Sequence, residues 1–267
     1  IDWEAGLDQL ANESQLEQQE HSTIFTFPRG ASAGTFLHTV FEEIDFPHAT
    51  GEVLASQLSE LLDNSDYDQD WLEVLTHLVS NVLDTPLAPG LCLRQLSARQ
   101  KQVEMEFFLP ISPLDCDSLN QLLIRHDPLS KLAQPLSFGR VQGMLKGFID
   151  LVFVHEGKYF ILDYKSNHLG DEPADYQAQK LSDVMIDHRY DFQYQLYSLA
   201  LHRLLKTRLV DYDYDTHFGG VYYLFLRGMD KTAQVNEGEE PNGVFFNRPS
   251  LNFIEQLDQL FEHGAGK

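Results

Sequence analysis

Apolar positions in this chain recur at two periods, every three to four residues or every second residue, and the changes of period outline its elements. From Thr35 onward Phe36, Leu37, Val40, Phe41 and Ile44 keep helical spacing, with Ser32 placed to cap the helix. Residues 52–62 and 70–84 repeat the pattern; Trp71, Leu72, Leu75, Leu78, Val79 and Val82 form the second stripe, which Pro86 and Pro89 terminate. Lys101 to Leu109 instead alternates, with Val103, Met105 and Phe107 on one face and Gln102, Glu104 and Glu106 on the other, which predicts a strand. A helix is expected over 114–125 and a strand over 141–146, leading into two aromatic and β-branched runs, 149–154 and 159–164. A polar loop through Asp175 precedes a helix ending near Ile186 and a long amphipathic helix from Tyr190 to Leu209. The run GGVYYLFL (219–226) reads as a strand covered on both faces. Arg227 to Gly243 reads as an acidic, mobile connection, and a Ser250-capped helix closes the chain near Glu262. Upstream, 23–27 suggests a short strand, and residues 1–22, polar with sparse Trp3, Leu7, Leu10 and Leu16, a linker end or surface helix. The sum is an α/β or α+β fold, a mixed sheet flanked by helices, with residues 23–267 as one domain whose N-terminal part is helical.

The two runs around His155-Glu156-Gly157-Lys158 have the length and turn chemistry of a tight hairpin. With Glu156 and Gly157 as the loop pair, Asp150 falls directly opposite Asp163, their Cβ atoms roughly 4.5–5.5 Å apart, where like charges repel. Lys165 shares a face with Asp163 at about 6.5–7 Å along the strand, and Tyr164 points to the other side. Two carboxylates and an ammonium thus converge inside otherwise apolar strands. Hard oxygen ligands without a thiolate suit Mg²⁺, with Mn²⁺ or Ca²⁺ able to take the same place, and the Tyr164 carbonyl is a further ligand of that type. Lys165 would orient or deprotonate the attacking water, or neutralise charge on a phosphoryl transition state. The plain alternative is an exposed Asp163–Lys165 ion pair of little energetic value.

The order Asp, hairpin, Asp-x-Lys resembles the signature of the PD-(D/E)xK nuclease superfamily, with Ile149 where that signature often carries proline. GTFLHTVFEEIDF (34–46), KQVEMEFFLPI (101–111), VQGMLKGFIDLVF (141–153), YFILDYKSNHLG (159–170), HRYDFQYQLYSLALHRLL (188–205) and HFGGVYYLFLRGMD (217–230) together resemble the C-terminal nuclease domains of the bacterial RecB family. The likeness spans nearly the whole chain and is densest after residue 100. It implies a restriction-endonuclease-like fold, and it implies roles that spacing alone leaves open. His38, otherwise a surface or satisfied core histidine, becomes a metal ligand beside Asp150 and Asp163. Gln193 and Tyr197, four residues apart on one helical face, become neighbours of the catalytic residues and the bound strand. Glu104 or Glu106 lines the metal site from the next strand, or both simply make a polar outer face.

Composition sharpens this picture in two ways. Cys92 and Cys116 are too few and wrongly spaced for a zinc or iron–sulfur site, unlike cluster-bearing relatives. The net charge of -22 is unusual for a DNA-binding chain, and residues 1–75 hold sixteen carboxylates against Arg29 alone, while Arg94, Arg99, Lys101, Arg140, Lys146, Arg189, Arg203, Lys206 and Arg208 follow later. Either intrinsic DNA affinity is weak and a tethered motor delivers the strand, or the acidity serves solubility. No apolar run is long enough to span a membrane and no signal peptide is evident, so a cytoplasmic setting is expected. The absence of an initiator Met at Ile1 suggests a piece of a longer protein.

The resemblance implies a Mg²⁺-dependent exonuclease on DNA ends that also cuts single strands, serving double-strand break repair and recombination. By the same likeness it works with RecC and RecD subunits and a RecB helicase portion, is regulated by a recombination hotspot sequence, and engages RecA. Two rivals remain at this level: a catalytically silent module docking RecA or a helicase on the same fold, and a stand-alone repair nuclease.

Overall fold

The computed structural model describes residues 22–232 and 240–264. The expected segment 1–22 therefore lies almost wholly outside the described residues, as does the middle of the 227–243 connection. Five strands, β1 (Lys101–Leu114), β2 (Val141–His155), β3 (Lys158–Lys165), β4 (Phe218–Phe225) and β5 (Val244–Asn247), lie side by side in chain order. All neighbours are antiparallel except β3 and β4, which run parallel and are joined by a helical crossover, as parallel pairing requires.

Each face of this mixed sheet buries its own core. On one side α1 (Ala31–Glu43), α2 (Gly51–Asp63) and α3 (Leu72–Asp84) pack Leu37, Val40, Phe41, Leu58 and Val79 around Leu151, Phe153, Leu162, Tyr164 and Leu224. On the other, α4 (Cys116–His126), α6 (Ala178–Asp187), α7 (Tyr190–Arg208) and α9 (Leu251–His263) cover Ile149, Val152, Ile161, Val221, Tyr223 and Phe225. Two short helices, α5 (Pro128–Leu132) and α8 (Tyr214–His217), complete the set. β4 is buried at every residue, which is why its sequence is a continuous apolar run and not an alternating one.

The hairpin forms with the expected register. Glu156 and Gly157 both take positive φ, 48° and 79°, the two-residue turn whose twist matches the flanking strands. Pairing runs from His155↔Lys158 to Leu151↔Leu162, so Asp150 and Asp163 are the next opposed pair.

Three expectations are corrected. Thr23 to Phe27 is a turn, because two of its backbone carbonyls, those of Ile24 and Phe27, and Pro28's are directed at one buried side chain. Arg227, read as the start of a mobile connection, is 2% exposed; its Nε donates to the Ser166 carbonyl and its Nη atoms to those of Ile24, Phe27 and Pro28. Ser32 lies inside α1, and Gly30, at φ 97°, occupies the cap position instead. The strand expected over 141–146 forms and runs unbroken into the hairpin as part of β2, and the directly paired Phe107 and Gly147 explain the glycine, since a Cβ there would come within 2.5 Å of the Phe107 ring.

Candidate active site

Beyond Leu151 and Leu162 the central strands part, and a side chain takes over from the ladder. The Tyr164 amide donates to Asp150 Oδ2 at 2.8 Å instead of to a backbone carbonyl. Within a strand the N–H and C=O of one residue point to the same side, so the Tyr164 carbonyl is aimed into this fork as well. α1 brings His38 to its edge: Nδ1 lies 3.4 Å from Asp150 Oδ2, while the ring stands edge-on to Tyr164. Tyr164 in turn stacks on Phe41 of the same helix, which fixes the height of α1 above the fork.

Asp163 is 2% exposed. The Lys165 ammonium lies 2.5 Å from its Oδ2, but the approach lacks hydrogen-bond alignment and leaves that oxygen without a directed donor. Lys165 is itself boxed in. Its Nζ donates to Gln193 Oε1 at 3.1 Å and sits 4.0 Å from the centre of the Tyr190 ring and 5.1 Å from that of Tyr223. Gln193 is held at both ends of its amide: Tyr223 OH also donates to Oε1, and Nε2 donates to Tyr197 OH. The pairing of Tyr223 with Asp163 across the parallel β3–β4 ladder places that hydroxyl.

The electrostatics follow from burial. Desolvation, reinforced by Asp163, pushes the Asp150 carboxyl up to about 8. Burial lowers the His38 imidazole against the pull of Asp163, which favours the neutral ring, whose one unprotonated nitrogen can act as a ligand. An underprovided carboxylate pair, a neutral imidazole and a backbone carbonyl form the oxygen-rich donor set that a hard divalent cation fits. Asp163 leans toward Lys165, and no three His, Cys, Asp or Glu side chains among the described residues are gathered at ligand spacing.

The structure thus brings together Asp150, Asp163, Tyr164, Lys165, His38, Gln193 and Tyr197. It separates the two ambiguous glutamates. Glu104 adopts φ 47° at the position facing Asp150 in β1, and its charge bears on Asp150, on His38 and on Glu42 of α1, whose carboxyl rises through burial and this neighbour. Glu106 turns to Lys146 at 2.5 Å, away from the fork. Sequence reasoning missed Tyr190 and Tyr223, which flank Lys165; the aromatic density of GGVYYLFL was the only signal for the second.

A model of the PD-(D/E)XK nuclease superfamily matches residues 9–265. This chain belongs to the PD-(D/E)XK nuclease superfamily. Superfamily members use divalent metal ions, typically Mg²⁺. Among its relatives is the RecBCD enzyme subunit RecB of Escherichia coli, 50% identical over 254 residues that cover 94% of this chain and 21% of that protein. The subunits of the same name from Haemophilus influenzae and Mycobacterium tuberculosis are 39% and 34% identical, covering 92% and 91% of this chain and 20% and 25% of theirs. The chain therefore spans about a fifth to a quarter of the relatives it matches. No helix among the described residues is long and apolar enough to cross a membrane.

Proposed function

We propose that this chain is a Mg²⁺-dependent DNA nuclease that hydrolyses phosphodiester bonds, as the nuclease domain of a RecBCD-type exodeoxyribonuclease. The observation that carries this reading is the fork itself, where Asp150 and Asp163 oppose each other in buried strands with Lys165 against Asp163. Such an arrangement has no structural justification, since two buried carboxylates with few donors weaken a sheet. Asp150, Asp163, His38 and the Tyr164 carbonyl would hold the cation, and Mn²⁺ or Ca²⁺ could take its place. When bound, it supplies Lewis-acid polarisation of the scissile phosphate and neutralises the opposed carboxylates.

The remaining chemistry belongs to side chains. Lys165, fixed by Gln193 and the Tyr190 and Tyr223 rings, presents Nζ to the attacking water, orienting it or taking its proton. Gln193 and Tyr197 set the position of Lys165 and face the bound strand. Cleavage at DNA ends and within single strands, operation with RecC- and RecD-type subunits and a helicase portion, and contact with RecA all enter this reading through its relatives. Weak affinity for DNA in isolation is part of it, because several cations are already engaged: Arg94 with Asp84, Arg189 with Asp191, and Arg203 with Asp258.

The test is degradation of end-labelled single-stranded DNA with Mg²⁺, with EDTA, and by Asp163→Ala and Lys165→Gln. Mg²⁺-dependent cleavage lost in both variants is expected. A folded protein that takes up Mg²⁺ yet leaves DNA intact, even with RecC- and RecD-type partners supplied, would mark a silent docking module instead.

A further inference from the structure

Past the fork, β1 and β2 run on together beyond the reach of β3 as a two-stranded ribbon, paired from Met105↔Ile149 to Ile111↔Gly143. One face of it is committed to the core. Met105, Phe107, Leu109, Ile111, Leu145 and Ile149 all pack into the cluster beneath α7 and α9, and the Phe107 ring meets Tyr197 edge-on at 5.6 Å. The other face therefore presents Glu106, Phe108, Met144, Lys146 and Phe148. Three of these are large apolar residues left open: Phe108 is 54% exposed, Met144 62% and Phe148 45%.

The arrangement on that face is not a generic apolar patch. Lys146 is paired directly opposite Phe108, and its ammonium lies 5.7 Å from the centre of that ring and 5.1 Å from the centre of Phe148. A cation between two exposed rings on a sheet is the chemistry that binds a nucleic-acid strand: bases stack on the ring faces, and the ammonium takes a phosphate. Phe148 stands two residues from Asp150 on the same strand, about 6.5–7 Å along it, so the ribbon ends at the fork. The present partner of Lys146 is Glu106, and both side chains are solvent-exposed. An exposed pair of this kind contributes little and yields readily to a phosphate.

We propose that the open face of this ribbon, with Phe108 and Phe148 as stacking platforms and Lys146 as phosphate contact, holds a single-stranded segment of the substrate beside the active site. The proposal rests on the nuclease reading and adds to it the path of the unpaired strand. Because stacking is indifferent to base identity, the platform predicts binding with little sequence preference. The ribbon is stiffened from behind by Phe107 and Tyr197, so it needs no rearrangement to receive the strand.

The test uses the full chain in Ca²⁺ at low salt and measures anisotropy of a fluorescent oligothymidylate, alongside hydrolysis of bis-p-nitrophenyl phosphate in Mg²⁺. The small ester has no strand to lay along the ribbon. Joint Phe108→Ala and Phe148→Ala substitution is expected to weaken oligonucleotide binding at least ten-fold and leave ester hydrolysis unchanged. Phe108→Tyr with Phe148→Trp should retain affinity, and Lys146→Ala should weaken binding several-fold and reduce the salt slope by about one. Leu132→Ala, at an exposed apolar position off the ribbon, should change nothing. Unchanged binding in the double alanine variant overturns the proposal. So does equal binding when both rings are replaced by leucine, which would mark the face as a protein-docking surface. Wild-type protein that binds no oligonucleotide at all would refute it too. A wild type that binds the oligonucleotide through these rings but hydrolyses neither ester nor DNA would count against the nuclease reading alone.

Discussion

Two regions of this molecule bury carboxylates, and they treat them in opposite ways. Behind the sheet, Asp127 and Asp191 sit in a closed polar network. Asp127 accepts from the amides of Leu129 and Ser130, from Tyr194 OH and from Gln195 Nε2, and Asp191 accepts from Ser130 OH and, through both oxygens, from Arg189. In the fork, Asp150 has the Tyr164 amide, and Asp163 Oδ2 has no aligned donor. Asp163 is as buried as Asp127 and Asp191 while Asp150 is half-buried, and the fork is the poorer in donors. A carboxylate kept for structure is supplied with donors until its charge is comfortable; one kept for chemistry is left short, so that something from outside can complete it.

The largest effect that would break this contrast is on activity. Asp163→Ala should reduce DNA cleavage by about 10³-fold or more while leaving the melting temperature near wild type, the loss reflecting removal of charge stabilisation at the reacting phosphate. Asp127→Ala should do the reverse. It strands Tyr194 OH and Gln195 in the core, and a loss of about 3 kcal/mol in denaturant titration is expected, with turnover of the folded fraction preserved.

The next prediction sharpens the comparison through pH. The Asp150 carboxyl, at about 8, lies above the ordinary value of 3.8, so the folded state holds more protons than the unfolded one in that window. Stability in EDTA should therefore fall as pH rises from about 4 to 8, and Asp150→Asn should abolish that slope and stabilise the cation-free protein at pH 8 by roughly 1–3 kcal/mol. Mg²⁺ should raise the melting temperature of the wild type and not of this variant. No slope difference would mean that Asp150 is as well provided as Asp127.

The smallest expected effect concerns a third buried group, away from both. His202 on α7 has its Nδ1 against Tyr212 OH at 2.9 Å and its Nε2 without a partner; burial, then Lys206, lowers it to about 4. Since the unfolded ring takes its proton first, this contribution to stability is complete above about 6.5 and lost as pH falls toward 4. His202→Leu should flatten that acid limb by about 2 kcal/mol, read from urea midpoints at pH 7 and pH 5.

How much of this was legible in the sequence depends on how local the determinants were. The Asp150–Asp163 opposition could be read because a two-residue turn dictates register over the few residues on either side. The helix carrying His38 was readable from its stripe, though its arrival at the fork came only from family likeness. By contrast, the parallel β3–β4 register is set by packing across a crossover, so nothing in the local pattern placed Tyr223 against Asp163 or its hydroxyl on Gln193. The 23–27 error has the same origin. Its aromatic and β-branched residues favour a strand, but the backbone is claimed by a guanidinium two hundred residues away. Glu104 was undecidable by alternation alone, because its positive φ interrupts the strand at the point where the question arises.

That distant guanidinium also bears on when the site comes into being. Arg227 closes a loop from Ile24 across 203 residues, and contacts of such separation form late, after the local hairpin and helices exist. Pro28, one of its acceptors, lies three residues before α1, the helix that carries His38, and Ser166, another, follows Lys165 directly. During synthesis the paired carboxylates can therefore take their places early, whereas the imidazole is locked over them only once the chain has emerged past Arg227. A truncated product ending before that arginine would carry both carboxylates and the Phe41–Tyr164 stack, but not the clasp that ties the segment before α1 to the end of β3.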